Sequence, residues 1–132
     1  MCKIGYFHIR NIASIRNNLN KHDAKIVTHA FVTSTLDYGN SLLYGINRKY
    51  LNKLQILQNS AARLIEKKRK YDHITETLKE LHWLPVEARI EFKILSYVWK
   101  SLNERAPNYL TNMLRPREIT RDLRQNQHIL GV

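Results

Sequence analysis

At 132 residues the chain has the length of one ordinary domain, enough to bury roughly 70% of the surface its unfolded form exposes. Its 22 lysines and arginines against 11 aspartates and glutamates give a formal charge of +11, which points to a polyanionic partner or to removal from a larger assembly. A single cysteine, Cys2, excludes an intrachain disulfide and a thiolate zinc site; with no apolar run of signal or bilayer-spanning length, the sequence reads as intracellular, in cytoplasm or nucleus, with no membrane partner.

Sparse glycine and proline between stretches rich in leucine, isoleucine, lysine, arginine and glutamine favour helix over strand. The prediction is an all-α chain, an irregular bundle of about five to six helices over residues 1–114 followed by a basic, poorly ordered tail over 115–132. The first helix is predicted from Tyr6 to Leu19, with Tyr6, Ile9, Ile12, Ala13 and Leu19 on one face. Asn20 caps a second, Lys21 to Tyr38, whose first turn carries Asp23 where acid meets the positive end of the helix dipole. That helix presents Ile26, Val27, Ala30, Phe31 and Tyr38 on one side and Val32 with Leu36 on the other, so it is predicted to be interior.

Gly39 and Gly45 interrupt "DYGNSLLYGIN", and Asn47 caps a third helix over 48–67. There Leu51, Leu54, Leu57, Ala61, Leu64 and Ile65 fall within about 100° of arc. A short helix near 74–81 leads into "ELHWLP", and a fifth runs to about Asn103. On that fifth helix an apolar arc of about 200° predicts contacts on two sides and a central position, with Glu91 inside the arc and in need of a partner. Pro107 can open a last short helix in "PNYLTNML".

Pro85 is disfavoured inside a helix, welcome at the start of one, and pushes Leu84 toward extended backbone. Trp83, Leu84 and Pro85 are therefore read as a structural joint, with the two apolar side chains folding over it. His82, beside them, reads as packing or backbone hydrogen bonding rather than chemistry.

The histidines at 8, 22, 29, 73, 82 and 128 have no metal-ligand spacing, the glycines form no phosphate loop, and no Ser-centred elbow occurs. No catalytic residue, metal site, cofactor or small-molecule substrate is predicted. Charge is the remaining signal: Arg63, Lys67, Lys68, Arg69 and Lys70, then Arg89, Lys93 and Lys100, then Arg115, Arg117, Arg121 and Arg124. Solvated helix faces carry such residues too, and the cations at 67–70 also suit the negative end of a helix dipole. Their unbalanced sum suits phosphate neutralisation. Tyr50, Tyr71, Tyr97 and Tyr109 suit either base stacking or packed amphipathic edges.

"HAFVTSTLDYGNSLLYGI", "LNKLQILQNSAARLI", "YDHITETLKELHWLPVEARIEFKILSYVWKSLN" and "APNYLTNML", in this order, resemble the segment that follows the polymerase domain in jockey-like non-LTR retrotransposon reverse transcriptases. "TRDLRQNQHIL" is similar to that family's continuation, whereas Gly39 stands where the family often has cysteine. The resemblance implies a helical thumb and post-thumb region, with RNA or RNA/DNA hybrid as phosphate partner and the palm and fingers of a parent reverse transcriptase as protein partner. It also implies an RNA-directed DNA polymerase whose paired aspartates this chain lacks, along with the endonuclease domain, so polymerisation by this chain alone is not expected. A helical structural or protein-interaction module is the alternative.

Overall fold

The structure is a computed structural model that describes residues 1–114. The expectation of a basic tail over 115–132 lies outside those residues, together with Arg115, Arg117, Arg121 and Arg124. Among the described residues there is helix and no strand, so the all-α reading holds: α1 (Cys2–Ile15), α2 (Lys21–Thr28), α3 (Ser34–Asp37), α4 (Arg48–Glu66), α5 (Thr75–Glu80), α6 (Val86–Leu102) and α7 (Asn108–Thr111). Two compact units divide the chain, the first spanning Met1–Ser96 and the second beginning at Tyr97.

Both asparagine caps form as the local chemistry requires. The Asn20 side chain accepts from the Asp23 amide at 2.8 Å, and that of Asn47 from the Lys49 amide at 2.9 Å, each satisfying a donor that a helix start leaves without an intrahelical partner. Between them, helical backbone runs through a wide five-residue turn, His29–Thr33, that joins α2 to α3. At 100° per residue Thr33 would lie about 180° from Ala24 on a regular helix. The wide turn takes up an extra residue, and Ala24, Thr28, Val32, Thr33 and Leu36 are all buried.

The predicted interior position holds for Val32 and Leu36, with Val27 packed against the core, but not for the rest of the other side. Ile26, Ala30, Phe31 and Tyr38 are exposed, because the small and β-branched side chains form the face that approaches α1 and α4. The first helix also begins four residues before the predicted start and takes in Gly5. A Cβ there would stand 2.5 Å from Leu57 Cδ2 on α4, and Leu57 is fully buried. Glycine at that position is thus the condition for close packing of α1 on α4.

The central element is α4, which packs against α1, α2 and α5. Leu54, Leu57, Ala61, Ala62 and Ile65 form a core with Ile12, Val32, Leu36, Leu81, Trp83, Val86 and Ile90. The expectation that α6 is central is not met. Val86 and Ile90 are buried, but Phe92 and Leu95 are more than half exposed, and Glu91 lies at the surface without needing a buried partner. Periodicity measures how much apolar surface a helix carries, whereas burial depends on whether a neighbour covers it.

A buried arginine closes the lower end of α4. Arg16, in the turn after α1, is only 7% exposed, and its guanidinium donates to the carbonyl oxygens of Leu64 (2.9 Å), Ile65 and Leu19 (2.8 Å). The first two are among the last four carbonyls of a helix, which have no intrahelical partner. Nearby, Lys21 pairs with Glu66 at 2.9 Å, and that hydrogen bond, then the carboxylate charge, raises Lys21 above its ordinary value of 10.5. Whatever the pair contributes is present below that ordinary value and is lost as pH rises through the raised one.

The joint at Trp83 to Pro85 is held from α4. Trp83 is buried, at 8% exposure, and its amide donates to the Leu78 carbonyl at 2.8 Å. The Leu84 side chain is exposed and does not close over the joint. Its carbonyl is the anchor, accepting from Gln58 Nε2 (2.8 Å) and Arg89 Nε (3.1 Å). Gln55 Nε2 donates to Gln58 Oε1 while Gln55 Oε1 accepts from the Val86 amide at 2.9 Å. A glutamine pair on the core helix therefore satisfies both the joint and the first turn of α6.

His82 occupies the left-handed region, φ 55°, as do Lys67 and Glu104. The His82 amide donates to the Lys79 carbonyl, completing with Trp83 the two-bond closure in which glycine is the usual residue. That bond is made by the main chain, and the His82 side chain is exposed. His82→Gly is expected to raise stability by about 0.5–1 kcal/mol, since a left-handed non-glycine residue costs about 1–2 kcal/mol and the extra freedom of unfolded glycine offsets about half. Urea denaturation at neutral pH measures it; a loss of stability would show that the imidazole itself holds the joint.

In the second unit, the Arg105 amide donates to the Lys100 carbonyl at 2.8 Å and closes the end of α6 around Glu104. The Arg105 guanidinium lies 5.3 Å from the Trp99 ring, a cation–π distance. Pro107 precedes α7, as its fixed φ and missing amide hydrogen favour.

Candidate functional site

The run Lys67–Lys70 follows α4 because that helix ends at Glu66, and the left-handed backbone of Lys67 turns the chain so that the Lys68 amide reaches the Arg63 carbonyl at 3.0 Å. The turn is then fixed by Asp72, whose carboxylate accepts from the Arg69 amide at 2.7 Å. Arg63, on the last turn of α4, donates through Nη2 to the Asp72 carbonyl at 3.2 Å. Its Nε is buried and has no hydrogen-bond partner among the described residues.

These elements bring four of the predicted cations together. Arg63, Lys67, Lys68 and Lys70 line one cleft of about 450 Å³, with Arg16, Asn17 and Ser60 beside them and Ile9, Ala13 and Leu64 as its apolar surface. Among the described residues, no carboxylate lines it. Arg16 and Lys68 are partly committed elsewhere, Arg16 to the α4 carbonyls and Lys68 Nζ to Thr77 Oγ1 at 2.7 Å. In the low-carboxylate wall of such a cleft, like charges raise the local potential for an anion rather than cancel one another against acids.

The other predicted cations do not share it. Arg69 is exposed in the turn and does not line the cleft. Arg89 is an internal tie: Nη1 meets both carboxylate oxygens of Asp37 at 2.7 and 2.8 Å, Nε bonds Leu84, and the guanidinium lies 5.9 Å from the Trp83 ring. Lys93 lines a separate cleft of about 280 Å³ with Asp37, Asn40, His82, Leu84, Arg89 and Phe92. Lys100 is exposed and belongs to the second unit.

The sequence reading missed Arg16, Gln55 and Gln58. A lone arginine in "ASIRNNL" carries no local sign that it will cap another helix, whereas Gln58, next to Leu57 and 1% exposed, breaks the apolar pattern of the core helix and could have been noticed as a polar group needing a partner. Among the described residues, no three His, Cys, Asp or Glu side chains gather as metal ligands would, and no helix is long and apolar enough to cross a membrane. Comparison with family models, with curated proteins and with solved structures gives no match.

Proposed function

We propose that this chain is a non-catalytic thumb and post-thumb part of a non-LTR retrotransposon reverse transcriptase, contacting the phosphate backbone of RNA or an RNA/DNA hybrid, with the parent palm and fingers as its protein partners. The resemblance of its ordered motifs suggests the family. The observation that carries the binding role is the cleft where Arg63, Lys67, Lys68 and Lys70 converge without a lining carboxylate. Lysine and arginine displace condensed counterions from phosphates, so such a surface binds through charge and needs no bond-making residue.

Binding to an RNA/DNA hybrid should weaken steeply with salt, by roughly 0.9 log units per log unit of salt for each phosphate neutralised. Lys67→Gln with Lys70→Gln should flatten that slope by about one for each lysine removed. Fluorescence anisotropy across a salt series reads both. Affinity that ignores salt, or none at low salt, removes the phosphate role.

A second reading has its own support. Met1, Ile4 and Tyr38 line an open apolar cleft with Ser34 and Thr35, and the His8 ring stacks on the exposed Phe31 at 5.3 Å and meets the exposed Phe7 edge-on at 5.5 Å. Such a surface suits contact with another protein, which makes a helical interaction module the alternative.

A further inference from the structure

Resting on the nucleic-acid reading above, we infer that the basic cleft binds an unpaired strand more tightly than a duplex, with one base stacked on Tyr71. That ring is 88% exposed in the turn that carries the cations, and Lys70 Nζ lies 5.6 Å from its centroid. An exposed ring beside a positively charged groove is the arrangement by which single strands are held, since every unpaired base offers a π-face. The cleft itself agrees. Ile9, Ala13 and Leu64 give it an apolar surface on which a sugar or base can lie, while Lys67 and Lys70 meet the phosphates. A duplex keeps its bases stacked inside and shows phosphates outside, so it has nothing to place against either the apolar surface or the ring.

The test compares the full chain binding one RNA oligonucleotide as a single strand and as a duplex with its complement. Tighter binding of the single strand is expected. Tyr71→Ala should weaken it about fivefold or more, Tyr71→Phe should keep it within about twofold, and neither should alter duplex binding. Tyr71 is exposed, so neither variant disturbs the core. Equal or tighter duplex binding, or no effect of Tyr71→Ala, overturns the single-strand inference while leaving the phosphate role intact. Competition by polyglutamate as effective as that by the single strand also overturns it. Absence of salt-sensitive binding to either nucleic acid overturns both.

Discussion

Arg16→Ala should lower the stability of the Met1–Ser96 unit by about 3–5 kcal/mol, the largest effect expected of any single polar substitution in it. Each buried acceptor that loses its partner costs about 1–3 kcal/mol, and the guanidinium serves three carbonyls, two of them at the closing turn of α4. Arg16→Met separates the causes: it keeps an apolar stem and removes only the donors, so it should lose nearly as much. Arg16→Lys keeps the charge but has no planar fork, and should recover less than half. Chemical denaturation followed by circular dichroism measures all three. A loss below about 1 kcal/mol for Arg16→Met would mean that water serves the α4 carbonyls as well as the arginine does.

Trp83→Ala should cost about 3–5 kcal/mol, the usual range for removing a buried large aromatic residue. The indole belongs to the same core as Leu57 and Ile65 and sits where α5 hands over to α6. Its loss leaves a cavity at the point where Gln58 and Gln55 hold the Leu84 carbonyl and the Val86 amide. Trp83→Phe should cost appreciably less, because most of the apolar volume remains. Thermal unfolding compares the pair, and an alanine variant within about 1 kcal/mol of the parent would show that the joint does not depend on the indole.

The two substitutions also mark the limit of what is legible along the chain. "HWLP" could be read as a joint because its causes are local: proline cannot continue a helix, and it restricts the residue before it. Nothing local announces Arg16, whose partners lie 48 and 49 positions away. The basic cluster lies between these cases. Its charges are visible in the sequence, but their convergence is not. Along the chain Arg89 is no different from Arg63, yet in the fold the Asp37 carboxylate lies against it.

The sequence by itself determined the helical class, the asparagine caps at 20 and 47, the breaks at Gly39 and Gly45, the run of α4 and the joint before α6. Each rests on neighbours within about one turn, where cap chemistry and periodicity act. Only the tertiary structure decided which face of α2 and α3 is buried, that α4 rather than α6 is central, that Gly5 lies inside a helix, and which cations meet. Those outcomes depend on what approaches from elsewhere in the chain: a Leu57 side chain with no room beside it for a Cβ, a wide turn that keeps Thr28, Val32 and Thr33 facing inward, and a carboxylate that claims one arginine while five other cations line a cleft with none among the described residues.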